Sequence, residues 1–307
     1  MKKRKNRKRV LCIGHSTYDI TIVMDFYPPE DKKYKVDTII ESGGGPSNNA
    51  AYLLAKWGTN THYASTVGYD LYGRRIKKEL EKIGVKTKLM ELRKKFSTSV
   101  SYIIVNLSNG SRTVLGYTAA DMKLNRKKIK MKPNVILVDG YEFDIAMRTL
   151  TENPKAIKVI DAGRASKETI ELSKKVDYLV CSRDFAEQYT NQKIDIKDIK
   201  GLTSIYNTLV SEFNNIVVIT LGEDGVLYKV DDTIKIMPPY KVEPKDTTGA
   251  GDIFHGAFVY GLCQNYNLEK TIKIASIAAA LSVTKIGSKQ SMPELEDVMK
   301  VYNRDAK

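Results

Sequence analysis

The sequence follows one pattern along most of its length: a short apolar run, then a segment with helical spacing, then another apolar run. The runs lie at 9–14, 135–139, 158–161, 178–181 and 216–220. Each is shorter than an ordinary helix and lacks regular polar alternation, which is typical of strands buried on both faces. Strands that alternate with helices form a parallel sheet that helices cover on both sides. The sequence therefore predicts an α/β fold with a doubly wound, mostly parallel sheet.

Acidic residues stand at the ends of several predicted strands. Asp139 and Asp161 end two of the later runs, and Asp19 follows the first run after a short polar segment. Ligands of open α/β sheets bind outside the carboxyl ends of the strands. We therefore expect Asp19 to contact a ligand at this edge, although a simple turn residue would look the same in the sequence.

The segment 246–252, Asp-Thr-Thr-Gly-Ala-Gly-Asp, is the strongest candidate for chemistry. Gly249, Ala250 and Gly251 leave backbone N–H groups accessible before a helical pattern, and a helix N-terminus of this kind binds anions. A carboxylate there would repel a resting phosphate, so Asp252 needs another role. We interpret it as a general base that takes a proton from a substrate hydroxyl while the amides stabilise a transferred phosphoryl group. The simpler alternative is a tight turn followed by an acid in the first turn of a helix.

Two motifs together resemble a known family. The segment 246–252 and the glycine-rich stretch 43–50, Gly-Gly-Gly-Pro-Ser-Asn-Asn-Ala, are similar in order and spacing to the signatures of the ribokinase-like (PfkB-type) carbohydrate kinases. The resemblance covers about 10–293 and implies a ribokinase-like kinase domain over 10–307. It also implies ATP-dependent phosphorylation of a terminal hydroxymethyl group of a sugar, with Mg²⁺ as cofactor. Within the family, Gly-Gly-Gly-Pro at 43–46 and Phe-His-Gly-Ala at 254–257 resemble fructokinase-, ketohexokinase- and sulfofructose-kinase-like members most, which points to a ketohexose or related acceptor.

In that family a small β-sheet forms a lid over the active site and often joins two subunits. The lid strands would be drawn from about 15–42 and 98–118, and the resemblance implies a homodimer. The second segment contains a hairpin, because Asn109-Gly110 between two strand-like runs is typical of a two-residue type I′ turn. Arg112, just after this turn, is expected to be a solvated hairpin residue rather than a phosphate ligand.

The other functional positions are assigned only through the resemblance. After Cys181 the chain departs from the usual Asn-x-x-Glu of the family, and Glu187, a few residues beyond, is the acid expected to organise magnesium. The remaining assignments are sugar binding by Asp19, Gly44, Gly45 and Asn48; ATP binding by Thr220, Gly222, Gly225, Thr248 and Gly287; and binding of a monovalent cation such as K⁺ by Asp246 and Ser291.

Two alternatives to a sugar kinase stay open. A nucleoside kinase of the same fold would share every phosphate-side motif. Aromatic residues near the predicted lid could then surround the base: Tyr18, Phe26, Tyr34, Tyr102 and Tyr117. The other alternative is a regulator that binds sugar or nucleotide without catalysis, and only the altered segment after Cys181 supports it.

Composition and charge narrow the classes of partner and the cellular location that remain possible for the protein. The net charge is +14, but seven of the positive charges lie in residues 1–9, which we expect to be a disordered basic tail. The other charges are scattered, so no nucleic-acid partner is expected. No apolar run approaches the roughly 18 residues of a membrane span, and three isolated cysteines indicate reduced thiols. We therefore expect a cytoplasmic protein with no membrane partner.

Overall fold

The computed structural model describes residues 8–119, 122–125 and 128–305. Its main sheet consists of β1 (Arg9–Ile13), β4 (Asn60–Ala64), β9 (Val135–Val138), β10 (Ile157–Ala162), β11 (Tyr178–Ser182), β12 (Ile216–Thr220), β13 (Val226–Val230) and β14 (Thr233–Met237). The spatial order is β4-β1-β9-β10-β11-β12-β13-β14. The first six strands are parallel, and the last two pair in antiparallel fashion. The predicted doubly wound, mostly parallel sheet is confirmed.

A second sheet is separate from the first. It contains β2 (Thr17–Met24), β3 (Thr38–Gly44), β7 (Ser99–Asn106) and β8 (Ser111–Tyr117), in the order β3-β2-β7-β8. A short parallel pair, β5 (Thr66–Gly68) and β6 (Glu91–Arg93), lies apart from both sheets. The four strands of the second sheet come from the two segments that the sequence predicts for the small sheet, with β3 ending two residues later.

Two layers of helices cover the main sheet. One layer holds α1 (Pro46–Lys56), α2 (Leu71–Ile83), α7 (Ala250–Cys263), α8 (Leu268–Ser282) and α9 (Leu295–Asp305). The other holds α3 (Phe143–Glu152), α4 (Lys167–Ser173), α5 (Arg183–Thr190) and α6 (Ile199–Phe213). The side chains of one strand divide between the two layers. In β1, Val10 and Cys12 pack on the first layer, whereas Leu11 and Ile13 pack on the second.

Helix α7 is the most enclosed element of the first layer. Its residues from Ile253 to Cys263 are all buried, and the helix packs between α1 and α8. Full burial of an aliphatic or aromatic side chain contributes about 1.5–3 kcal/mol, so the position of α7 is strongly determined by its core contacts. The first turn of this helix is therefore held rigidly at the carboxyl edge of the sheet.

The structure differs from the sequence predictions at three boundaries. Strand β1 begins at Arg9, inside the segment expected to be a basic tail, while residues 1–7 lie outside the described part of the chain. Helix α7 begins at Ala250, so the small residues before Asp252 belong to the helix. The hairpin turn spans four residues, because Asn106 pairs with Ser111, and of Asn109 and Gly110 only the glycine has a positive φ. The predicted two-residue turn is therefore wrong.

In the described residues, none of the helices combines the length and the apolar character needed to cross a membrane.

Candidate active site

The first turn of α7 forms an open helix N-terminus at the carboxyl edge of the sheet. Gly249 caps the helix with φ 77° and ψ 2°, a left-handed conformation that favours glycine. A side chain at this position would also approach Cβ of Ser288 to 3.0 Å. The first N–H groups of a helix have no intrahelical partner, so the turn from Gly249 to Gly251 can bind an anion. This is the arrangement that the sequence predicts for the segment.

Two cavities meet at this turn. The first, of about 750 Å³, is lined by acidic and polar residues that include Asp139, Asp161, Asp252 and His255. The second, of about 700 Å³, has a largely apolar wall that includes Phe254, Ala279, Ala280 and Val283. Gly251, Thr220 and Arg112 line both cavities. Two ligands, one in each cavity, would therefore come into contact beside Gly251.

Asp252 faces the first cavity from the third position of α7. Its Oδ2 accepts a hydrogen bond of 2.7 Å from Nδ2 of Asn49. Burial and the neighbouring carboxylate of Asp161 raise the pKa of Asp252 to about 7, against the opposing effects of Asn49, His255 and Arg112. A carboxylate with a pKa near neutrality is well matched to general base catalysis at physiological pH.

Asp19 lies on the buried face of the second sheet. Its carboxylate packs against Gly44, where a Cβ would come within 1.9 Å of Oδ2. Burial is the main effect that raises the pKa of Asp19 to about 7, and the ammonium group of Lys289 opposes it. Asp19 and Gly44 are not among the described residues that line the first cavity.

Asn48 is fully buried in the first turns of α1, a helix capped by Gly45. Its Nδ2 donates to Oγ of Ser16 at 3.3 Å. Oδ1 of Asn48 and Oδ1 of Asp19 are both buried without a hydrogen-bond partner in the described structure. Unpaired buried oxygens of this kind cost free energy, and hydroxyl groups of a ligand would supply the missing donors.

Asp246 anchors the loop after α8 to the start of the segment 246–252. Its Oδ1 accepts from N of Thr248 at 2.9 Å and its Oδ2 from N of Gly287 at 2.8 Å. Ser291 closes the same loop by donating to the carbonyl of Ser288. Asp246 is 1% exposed, and the described residues give it no ion pair. Both carboxylate oxygens of this buried acid are therefore bonded to backbone N–H groups.

The residues predicted for ATP binding divide into two groups. Thr220, Gly222 and Gly225 line the second cavity, at the end of β12 and the turn that follows it. Thr248 and Gly287 lie behind the cavity wall, where both donate to Asp246. The first group is positioned to touch a ligand, and the second group shapes the loops around it.

Glu187 is not brought to either cavity. It lies on α5, where its carboxylate pairs with Lys193 and accepts from N of Ile194. This ion pair turns Glu187 towards the loop after α5 and away from the edge of the sheet. In the part of the chain that the structure describes, no cluster of three His, Cys, Asp or Glu side chains suits a metal ion.

Sequence reasoning missed several residues of the site. Asn49 contacts Asp252, and its only signal is its place beside Asn48 in the glycine-rich motif. Arg112 was expected in solvent, but its Nη1 donates to Oγ1 of Thr247 at 2.6 Å. Lys289 is buried and pairs with Glu79 at 2.8 Å, which ties the loop after α8 to α2.

The aromatic residues at the first cavity also differ from those that the sequence predicts near the lid. Tyr18 is buried in a stack with Tyr72, and the five aromatics named for the lid are not among the described residues that line the first cavity. Tyr141 lines that cavity instead, and its ring stacks on His15 with centroids 4.3 Å apart.

Comparison with known proteins gives consistent matches over almost the whole chain. The sequence model of the "pfkB family carbohydrate kinase" matches residues 7–295. A ribokinase of Lactococcus lactis subsp. lactis is 27% identical over 302 residues, covering 94% of this chain and 95% of its own. A deoxyribokinase of Salmonella typhi is 26% identical over 297 residues, and the match covers 94% of this chain and 96% of the deoxyribokinase.

Solved structures show the same fold. A putative ribokinase from Agrobacterium tumefaciens superposes with a TM-score of 0.86 at 24% identity, covering 97% of this chain and 98% of its own. The ribokinase of Arabidopsis thaliana, solved in complex with ribose and ATP, superposes with a TM-score of 0.81 at 20% identity, covering 96% and 98%.

Proposed function

The chain belongs to the pfkB family of carbohydrate kinases, and we propose that it transfers the terminal phosphoryl group of ATP to a terminal hydroxymethyl group of a sugar. The observation that carries this proposal is the junction of two cavities at Gly251, with Asp252 beside it. ATP would occupy the second cavity, whose apolar wall suits a base. The sugar would occupy the first, on the side of the general base.

The chemistry requires little beyond positioning and charge stabilisation. Asp252 would take the proton of the acceptor hydroxyl, and the N–H groups from Gly249 to Gly251 would hold the migrating phosphoryl group. Magnesium would arrive with the nucleotide phosphates while keeping several of its own waters, and it would supply positive charge against the phosphates. Because Asp252 and the glycine cap are in place, the site gives no support to a regulator without catalysis.

The acceptor is expected to bind through Asp19 and Asn48, whose unpaired buried oxygens match sugar hydroxyls. Neither residue is among the described residues that line the first cavity, so the sugar would have to extend beyond that cavity to reach them. The sequence motifs favour a ketohexose, whereas the relatives named above introduce ribose and deoxyribose as competitors. Release of ADP measured over a panel of ketohexoses, pentoses and nucleosides tests the proposal directly. Turnover of any sugar supports it, and no turnover of a sugar or nucleoside would contradict it.

An Asp19→Ala variant should lose acceptor binding rather than ATP binding. Hydrogen bonds to charged groups contribute about 1.5–3 kcal/mol, so kcat/KM for the sugar should fall roughly 10- to 100-fold while KM for ATP changes little. Thr21→Val is the matched control, since Thr21 is buried on the same face of β2. An equal loss of kcat/KM for the sugar and for ATP would contradict a direct role of Asp19 in sugar binding.

One observation favours a nucleoside as the second candidate acceptor. Tyr141 is 43% exposed, lines the first cavity and already stacks on His15. An aromatic ring in this position could extend the stack to a nucleobase. A panel in which a nucleoside outpaces every sugar would replace the acceptor and leave the kinase chemistry standing.

Potassium is expected to activate the enzyme more than sodium. Asp246 is a buried carboxylate without an ion pair in the described residues, and its hydrogen bond from N of Gly287 joins the loop 287–291 to the segment before the anion-binding turn. A cation there would order both segments without contacting phosphate. Initial rates in K⁺, Na⁺ and tetramethylammonium salts at constant ionic strength measure the effect, and equal rates in all three would exclude the site.

The exposed face of the second sheet is the candidate dimer surface. Ile39, Tyr102, Leu115 and Tyr117 on it are between 46% and 59% exposed. Apolar side chains clustered on one face of a sheet are typical of interaction sites, and we propose that a second copy covers them. Light scattering of the full chain should give twice the monomer mass, and Leu115→Lys should reduce it. A monomer across micromolar concentrations would contradict the dimer.

A further inference from the structure

His255 sits one turn after Asp252 on α7, with its ring buried at the base of the first cavity. Its Nδ1 is 2.7 Å from the carbonyl oxygen of Gly251 and 3.1 Å from Oδ2 of Asp161. Its Nε2 is 3.1 Å from the carbonyl oxygen of Val180. Both ring nitrogens therefore face oxygen atoms, and two of these belong to carbonyl groups.

These contacts limit where protons can be. A neutral imidazole has one N–H and one bare nitrogen, whereas a carbonyl oxygen can only accept. A neutral ring would therefore direct a bare nitrogen at the carbonyl of either Gly251 or Val180, and both distances are within hydrogen-bonding range. Only a ring that is protonated on both nitrogens satisfies the two contacts.

Burial by itself opposes the charged form of this pair, so the hydrogen-bond geometry has to decide where its extra proton lies. Burial raises the pKa of Asp161 and lowers that of His255. A carboxylic acid beside a neutral ring and a carboxylate beside an imidazolium contain the same number of protons, and a coupled pair titrates as a unit. The two carbonyl contacts together distinguish the two arrangements, because a neutral ring would leave either Nδ1 bare against Gly251 or Nε2 bare against Val180.

We propose that His255 is an imidazolium paired with the carboxylate of Asp161, and that this ion pair holds the anion-binding turn of α7 against the ends of β10 and β11. His255 is then a positioning residue, which acts through the carbonyl of Gly251. Its link to catalysis rests on the proposed function, whereas its protonation state does not.

Other charged groups lie close to this pair. Asp139, at the end of β9, acts on Asp161. Asp252, one turn earlier on α7 itself, interacts with both members of the pair and with Arg112 of β8. The imidazolium therefore lies among three carboxylates at the base of the cavity. It lowers the pKa of Asp252, whereas Asp161 raises it. The two members of the pair therefore act on the pKa of Asp252 in opposite directions, and burial together with Asp161 prevails.

Nitrogen NMR of the full chain labelled with ¹⁵N-histidine tests the protonation state without substrate. The protein contains three histidines, so His15→Gln and His62→Gln variants assign the signals. We expect both nitrogens of His255 to remain protonated from pH 6 to 8. A single bare nitrogen at pH 7 would overturn the proposal, whether or not the enzyme phosphorylates a sugar.

An Asp161→Asn variant tests the positioning role. Loss of the opposite charge should lower the pKa of His255 by about 1–3 units, so the ring would lose its proton within the assay range. Misplacement of the anion-binding turn should then lower kcat about tenfold or more over the same pH interval in which NMR shows deprotonation. His62→Gln is the control, since His62 lies in the middle of β4 and is not among the described residues that line either cavity. A kcat that stays constant while His255 deprotonates would overturn the positioning role.

Discussion

An Asp252→Asn variant is expected to lose roughly 10²- to 10⁴-fold in kcat, the usual contribution of a positioned general base. The amide keeps the size of the carboxylate but cannot accept the proton of the acceptor hydroxyl. Binding of ATP should persist, because the second cavity lies on the other side of Gly251. Single-turnover rates together with ATP titration separate the two effects. An Asn variant with near-normal turnover would remove Asp252 from the mechanism.

Asp144→Asn is the matched control for this variant. Asp144 is also an acid in the first turn of a helix, but it is exposed on α3 and lines neither cavity in the described structure. Its substitution alters the interaction with a helix dipole without touching the site. If both variants lost activity equally, the effect would come from helix stability rather than from base catalysis.

The same residue links activity to pH. Asp252 acts as a base only when ionised, and its pKa is about 7. In the free enzyme kcat/KM should therefore rise with pH through an acid limb near 7, well above the range of an ordinary carboxylate. A limb near pH 4 would contradict the burial and the Asp161 contact as causes of the raised pKa.

The contribution of Asp252 to the stability of the fold should fall as pH rises, whereas activity should increase. Because the pKa of Asp252 is about 7 in the folded protein and near 3.8 for an ordinary aspartate, the folded state binds more protons than the unfolded state between these values. Stability contributed by the neutral acid is then lost as pH rises through 7. Asp252→Asn cannot ionise, so its melting temperature at pH 8 should equal or exceed that of the unchanged protein. This result would also show that the variant is folded.

Parts of the site that lie within one segment were predictable from the sequence. Gly249 to Asp252 form their geometry locally, since a left-handed glycine caps the helix that carries the acid. The fold was predictable for a related reason: each strand of the main sheet is buried on both faces, so its composition alone distinguishes it from the helices between. Local backbone preference and burial agree at these positions.

Contacts between distant segments were not predictable in the same way. Asn49 and Asp252 are 203 positions apart, and only the packing of α1 against α7 brings them together. The packing of two helices is not encoded in the local pattern of a single sequence. Glu187 shows a different case: the resemblance suggested a role in the site, but a nearby lysine on the following loop pairs with it.

Arg112 is the residue whose role changes most once the fold is known. As a residue of a hairpin it is exposed, as the sequence suggests. The hairpin, however, places its guanidinium at the junction of the two cavities, where it donates to Thr247 and lowers the pKa of Asp252. It links the second sheet to the segment that precedes the anion-binding turn. A phosphoryl group passing between the cavities would therefore meet a positive charge from the sheet above it.

We expect Arg112→Ala to lower kcat by about 10²- to 10³-fold, the loss typical when one preorganised donor to a developing charge is removed. Arg112→Lys should recover only part of this, because an ammonium group keeps the charge but lacks the planar fork that matches phosphate oxygens. Arg74→Ala is the control. Arg74 is on α2, its guanidinium lies over the ring of Tyr69, and its substitution removes the same charge from the protein.

Steady-state kinetics of the three variants at two salt concentrations distinguish a direct contact with the phosphoryl group from a general effect of charge. If Arg74→Ala and Arg112→Ala lost the same activity, and high salt abolished both losses, the effect would be long-range attraction of the nucleotide. A loss confined to Arg112 and insensitive to salt would place its guanidinium on the transferred phosphoryl group.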